Sequence, residues 1–269
     1  MNSIELANRV RKHTVDMVHR GKSSHVGSAL SMVDILSVLY FEFLNVTPES
    51  LNCPDRDLFI LSKGHGGASL YATLAECGFF STEELKKHYQ NGSLFSGHVS
   101  HKGIPGVEFS TGSLGHGLPV ATGLALAAKV DSRKQQVVVL IGDGEVMEGS
   151  NWEALLFASH HQLDNLTVIV DRNRLQSFKD TELTVALDPL DRKFESFGAH
   201  CLEIDGHDHA AILEALDNKV SGKPTVIIAN TIKGKGVSYM ENEVVWHYKF
   251  PNVEQLKIAH NDIARGSGQ

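Results

Sequence analysis

Cysteine is scarce in this chain. The 269 residues hold three, Cys53, Cys77 and Cys201. They are far apart, odd in number and in no C-x-x-C pattern, which argues against both a disulfide framework and a thiolate zinc site. Long apolar runs are missing too. No stretch reaches the roughly 18 apolar residues of a membrane span. The N-terminus, MNSIELANRVRKH, has no apolar signal core. These absences predict a cytoplasmic protein with no membrane partner. Positive charge is not in excess: Lys+Arg total 25 against Asp+Glu 32, a net charge of −7. That balance does not suit a chain that coats nucleic acid. There is no internal repeat, no low-complexity segment and no histidine run.

What is present is a 42% hydrophobic composition, enough for a sizeable core, with 24 glycines and 15 histidines. Residues 4–18 and 31–44 read as helices, and 57–62 as a short buried strand before the turn KGHGG. Residues 68–77 and 82–89 look helical. Residues 91–117 are rich in Gly, Ser and His with little periodicity, and loops of that length are usually functional or disordered. A helix follows over 118–129. From there strands and helices alternate: strand 136–141, helix 150–161, strand 166–170, helix 190–197, strand 199–204, helix 209–219, strand 225–230. Such alternation predicts an α/β fold, a parallel sheet with helices on both faces. Ligands of such sheets bind at the carboxyl ends of the strands.

Two of those ends carry chemistry. The strand VVVLI runs into Gly142-Asp143-Gly144, and LTVIV runs into Asp171-Arg172-Asn173. One βαβ unit separates Asp143 from Asn173, so a right-handed crossover brings both to the same sheet edge. A carboxylate and an amide oxygen there form a hard site suited to Mg²⁺ or Ca²⁺, the other ligands being diphosphate oxygens and a main-chain carbonyl. The two glycines let the backbone approach the diphosphate, and the following helix start adds amide donors. A bare GDG is as readily a tight turn; the complete strand–GDG–helix–strand–Asn arrangement is much harder to read that way.

The segment GDGEVMEGSNWEALLFASHHQLDNLTVIVDRNRLQS resembles the thiamine-diphosphate-binding fold of transketolases. The resemblance implies thiamine diphosphate as cofactor, with the metal held by Asp143, Asn173 and the main-chain oxygen of Leu175. It implies that Gly144 contacts the diphosphate, and that Glu148 lies at a subunit interface linking paired cofactor sites. It extends over nearly the whole chain. KSSHVG resembles the family's KSGHPG element, which makes His25 a substrate-contacting histidine with Ser28 nearby. SKGHG is similar to the family segment whose histidine meets the diphosphate, which implies that role for His65. SGH at 96–98 resembles the family's GHP element, which implies that His98 faces the donor sugar. Gly112-Ser113-Leu114-Gly115 is similar to the loop that cradles the cofactor rings. TIKGKG and WHYK resemble the family segments with a diphosphate lysine and a histidine shared by cofactor and substrate, which implies those roles for Lys233 and His247. One pocket collecting His25, His65, His98 and His247 accounts for much of the histidine content, and neutral imidazoles suit sugar hydroxyls and proton relay.

Three positions depart from the family pattern: Val26 for its Pro, His116 for its Gln, and Tyr248 for the Gly after the final histidine. Tyr248 adds bulk beside a substrate residue. His160-His161 reads as a helix end on the surface, Asp205–His209 (DGHDH) as a loop despite its likeness to a zinc cluster, and Trp152 and Trp246 as packing residues.

The resemblance also implies what is missing. In transketolases the pyrimidine-activating glutamate, the stacking aromatic and the phosphate-binding arginines come from a second domain. Here residues 1–265 read as one diphosphate-binding domain, 266–269 as a flexible tail, and the pyrimidine-binding and C-terminal domains as absent. The expectation is therefore the N-terminal subunit of a split transketolase. With a separate pyrimidine-binding subunit, as α2β2, it would transfer a two-carbon ketol unit from a ketose or ketose phosphate to an aldose. Alternatives are the same assembly acting on a sulfonated, branched or biosynthetic sugar, another thiamine-diphosphate enzyme of the deoxyxylulose-phosphate synthase or dehydrogenase type, and a degenerate scaffold subunit.

Overall fold

The structure is a computed structural model and describes residues 1–266. Its centre is a five-stranded parallel sheet: β1 (Leu58–Leu61), β2 (Val137–Gly142), β3 (Leu166–Arg172), β4 (His200–Asp205) and β5 (Thr225–Asn230), in the order β1-β2-β3-β5-β4. The inner strands are β-branched runs buried along their length, as a sheet covered on both faces requires. Alternate side chains feed two separate cores. Val137, Val139, Ile141, Val168 and Val170 pack with α5 (Gly117–Val130), α6 (Gly149–His160) and α7 (Leu190–Ser196). Val138, Leu140 and Ile169 pack with α3 (Val33–Val38), α4 (Gly67–Glu76) and α8 (His209–Asp217). Each fully buried Val, Leu or Ile contributes about 1.5–3 kcal/mol of transfer free energy.

A third core lies beyond the sheet. Helix α1 (Ser3–Gly21) buries Leu6, Val10, Val15 and Val18, spaced on one helical face. Asn2 caps it, accepting from Glu5 N at 2.9 Å. Against α1 lies α9 (Val253–Gly266), through Ala259 and Ile263. The expected tail thus begins at the last residue of a helix, and 267–269 lie outside the described residues.

Where one helix was expected over 31–44, the chain forms α2 (Val26–Ser31), then α3, then a π-helical turn over Leu39–Phe43. The break falls at Met32, with φ −100° and ψ 6°. Every residue of α2 and α3 is buried, so no polar face marks the joint in the sequence. Residues 82–87 form a 3₁₀ helix, not an α-helix. The 91–116 segment has neither helix nor strand, yet Phe95, Val99 and Ile104 anchor it in the core. Among the described residues no helix is long and apolar enough to cross a membrane.

Strand register aligns the ends of the sheet. Gly142 pairs with Asp171, Asp171 with Ala229, and Arg172 with Asn230. The residues just past β2, β3 and β5 therefore emerge together at the carboxyl edge.

Candidate active site

At that edge lies a cavity of about 270 Å³. Its walls include His25, Ser28, His65, His98, Gly112, Leu114, Asp143, Gly144, Asn173, Leu175 and His247. Segments far apart in sequence meet here because all the strands are parallel and end on one side.

The histidines touch. The His25 ring lies 5.3 Å from His65, 5.4 Å from His98 and 4.8 Å from His247, centroid to centroid. His25 sits at φ 73°, left-handed for a non-glycine residue, and such strain clusters at functional sites. Its amide donates to the His247 carbonyl at 2.8 Å, and Ser24 Oγ holds its Nδ1 at 3.0 Å. Ser28 Oγ bonds His65 Nε2 at 2.9 Å. Burial, then charge from His98, Lys233 and Lys63, lowers His25 to about 4. Burial and Lys233 take His247 to about 3. His65 is pushed well down by burial and Lys63. These three rings are neutral at physiological pH, so each carries one N–H donor and one acceptor.

The oxygen set stands opposite. Asp143 accepts from Gly144 N at 2.7 Å and from Arg174 N at 2.6 Å. Asn173 Oδ1 accepts from Leu175 N at 3.1 Å. The Leu175 carbonyl accepts from Lys233 Nζ at 3.1 Å, and Lys233 also reaches Gln176 O at 2.8 Å and His247 Nδ1 at 3.2 Å. Burial, then the Asp171 charge, raises Asp143 to about 6. A buried carboxylate held above its usual range lacks a counter-cation, and a carbonyl that already draws an ammonium is a cation ligand. The set therefore fits a divalent ion. Among the described residues no group of three His, Cys, Asp or Glu side chains could hold a metal.

Beneath the cavity lies a buried support that sequence reasoning missed. Lys63 is ion-paired to Asp171, both essentially without exposure. Asp171 also accepts from Ser31 Oγ at 2.6 Å and from the Thr231 hydroxyl. Burial works against ionisation of Asp171, but Lys63 and these bonds hold its carboxyl below the usual range. Glu145 accepts from Gly115 N at 2.9 Å, Gly142 N at 3.1 Å and Ser62 Oγ. It ties the Gly112–Gly115 loop to the GDG turn. Gly115 sits at φ 81°, and a Cβ there would meet Glu148 Cβ at 2.6 Å, so only glycine fits. No local pattern in the sequence marks the Lys63–Asp171 pair, whose members lie 108 positions apart.

Other expected residues lie off the cavity wall. Ser113 and Glu148 are exposed. Lys233 is buried behind the lining and meets it through Leu175 and His247. His116 is exposed, its ring at Leu114 O. Trp152 stacks on Phe194 at 5.2 Å, and Trp246 packs on Tyr239 at 5.0 Å.

Residues 3–259 match the family described as transketolase, thiamine diphosphate binding domain. The chain belongs to this family, whose cofactor is thiamine diphosphate. It is 45% identical over 255 residues to one subunit of the apulose-4-phosphate transketolase of Actinobacillus succinogenes, covering 94% of this chain and 92% of that one. It is 39% identical over 261 residues to the 6-deoxy-6-sulfo-D-fructose transketolase subunit SqwG of Clostridium sp., covering 96% and 95%. The transketolase structure from Campylobacter jejuni superposes with a TM-score of 0.91 at 34% identity, covering 98% of this chain but 43% of that one. The chain thus spans less than half the length of that transketolase.

Proposed function

We propose that this chain is the diphosphate-binding subunit of a two-chain transketolase, moving a two-carbon ketol unit from a ketose to an aldose. The observation that carries this reading is one cavity in which the His25 ring packs against His65, His98 and His247, opposite an Asp–Asn–carbonyl oxygen set. Asp143, Asn173 and the Leu175 carbonyl hold Mg²⁺, with Ca²⁺ able to replace it. Lys233 and Gly144 meet the diphosphate, and Gly112, Ser113 and Leu114 face the cofactor rings. Thiamine diphosphate, when bound, supplies the chemistry that breaks and makes the carbon–carbon bond.

This chain's own residues bind and orient the sugar. His25, His98 and His247 exchange hydrogen bonds with its hydroxyls. His65, fixed by Ser28, orients the diphosphate end. A neutral imidazole at the sugar takes up or returns a hydroxyl proton without being charged at rest.

Residues 1–265 act as one domain in this reading, and the pyrimidine-binding half comes from a separately encoded subunit in a cytoplasmic α2β2 complex, with Glu148 at the interface between paired sites. The naming of similar full-length relatives as subunits supports a partner chain. Relatives named for apulose 4-phosphate and for 6-deoxy-6-sulfo-D-fructose, together with Tyr248 beside His247, favour an unusual donor sugar over the ordinary ketose phosphates.

The test is calorimetric titration of thiamine diphosphate with Mg²⁺ into the chain, alone and with the product of its neighbouring gene. Binding that appears or tightens only with the neighbour is the expected result. No heat in either case would remove the cofactor assignment and leave a scaffold role.

A further inference from the structure

The DGHDH segment is not absorbed by the site above. Asp208 caps α8, accepting from Ala210 N at 2.9 Å and Ala211 N at 3.2 Å. The two histidines have other partners. His207 Nε2 accepts from the backbone amide of Ile232 at 2.8 Å. A backbone N–H can only donate, so Nε2 carries no proton and the ring proton sits on Nδ1. That Nδ1–H donates to Asp34 Oδ2 at 2.7 Å.

Asp34 is held in turn. Arg11 donates to its Oδ2 at 2.5 Å, and His209 Nε2 lies 3.1 Å from its Oδ1. Asp34 is 4% exposed and Arg11 7%. An unbroken chain of bonds thus runs from α1 through α3 to the turn after β4, and ends on the amide of Ile232.

Ile232 immediately precedes Lys233. On its other side, Thr231 N donates to Arg172 O at 3.1 Å and its hydroxyl bonds Asp171. Beyond Lys233, Gly234 N donates to Gly27 O at 2.9 Å, and Asn242 N to Lys233 O at 2.9 Å. His207 supplies a side-chain acceptor to this turn's backbone, directly behind the residue whose ammonium points at Leu175 and His247.

We propose that His207 is a positioning residue for Lys233: its fixed Nδ1–H tautomer, set by Asp34 and Arg11, orients the 231–233 backbone and thereby the Lys233 ammonium at the cofactor's diphosphate. This rests on the reading of Lys233 given above. Partners one shell behind a ligand hold it in place, and losing them costs on the order of tenfold in affinity or more.

Two conservative variants separate positioning from simple packing. In His207→Gln the carboxamide reaches the place of Nε2 and keeps an acceptor for Ile232 N–H. In His207→Asn it reaches the place of Nδ1 and keeps the Asp34 contact only. Hydrogen exchange of the 228–236 segment is read in the chain alone, and thiamine diphosphate affinity at fixed Mg²⁺ in the two-subunit complex. Faster exchange and on the order of tenfold weaker binding in His207→Asn, with His207→Gln close to wild type in both, is the expected result. Exchange and affinity unchanged in His207→Asn, or lost equally in both variants, would overturn the proposal. Wild-type complex that binds no thiamine diphosphate would instead count against the functional reading, and the exchange data would still decide whether His207 holds the turn.

Discussion

The Lys63 ammonium is ion-paired to Asp171 directly beneath the Asp143 turn, and neither side chain is more than 1% exposed. A buried pair contributes little net stability against well-packed apolar residues, but breaking it is costly. Lys63→Met leaves Asp171 charged, buried and held only by the Ser31 and Thr231 hydroxyls. The expected loss is about 3–5 kcal/mol, read by chemical denaturation. Lys63→Met combined with Asp171→Leu should recover most of it. A single variant within about 1 kcal/mol of wild type would mean that the pair is not isolated from water.

Asp143 lies above this pair, and its position trades stability for binding. Its folded value of about 6 exceeds the ordinary 3.8. The folded chain therefore binds this proton more tightly than the unfolded one. The associated stability is fully present below pH 3.8 and is lost as pH rises through 6. At pH 7 the metal-free chain carries that cost in full. Asp143→Asn removes the charge but surrenders one of two backbone acceptor positions. The metal-free chain should therefore gain on the order of 1 kcal/mol. Mg²⁺-dependent thiamine diphosphate binding should disappear in the complex. Melting in chelator and calorimetry with Mg²⁺ measure the two halves. Unaltered cofactor affinity would remove Asp143 from the metal site.

Much of this arrangement was legible in the sequence. The β-branched runs marked every inner strand, and GDG followed one βαβ unit later by Asn placed the oxygen set. Helix α9 was legible and overlooked: Asn252 and Gln255 cap each other at 2.8 and 2.9 Å, an N-x-x-Q form of the capping box. The joint at Met32 was not legible, because helices buried all round show no periodicity. Nor was the Lys63–Asp171 contact, which joins residues 108 positions apart; no local pattern encodes such a pairing. His207 reads as an ordinary turn residue until Ile232 is found against its ring.

His88 offers a pH test away from the cofactor cavity. It is 2% exposed, with Nε2 at 3.1 Å from Ser23 Oγ and Nδ1 without a partner. Burial, and then Arg20, lowers it from 6.5 to about 4. The unfolded chain thus binds this proton first. The stability is present above pH 6.5 and is lost as pH falls toward 4. His88→Gln should flatten the stability–pH curve in that window by at most about 1.4 kcal/mol per pH unit, the value for one proton. His25, His65 and His247 add slopes of the same sign, so the comparison is the difference between variant and wild type. Parallel curves would show that His88 is not desolvated in solution.

Tyr248 is the place to ask which sugar the complex takes. Its ring lies 5.0 Å from His247, edge to face, and 64% of the residue is exposed. It therefore stands beside the cavity on the solvent side, where the resembling family carries glycine. A bulky ring there narrows the approach to His247 for one donor shape and adds contact for another. Pocket differences of this size are worth about 1–3 kcal/mol in discrimination. Tyr248→Gly in the reconstituted complex should shift relative kcat/KM on the order of tenfold toward linear ketose phosphates and away from branched or sulfonated ketoses. Cofactor affinity should stay unchanged, because Lys233 and the oxygen set do not touch this ring. If the donor ranking is the same in variant and wild type, Tyr248 does not select the sugar.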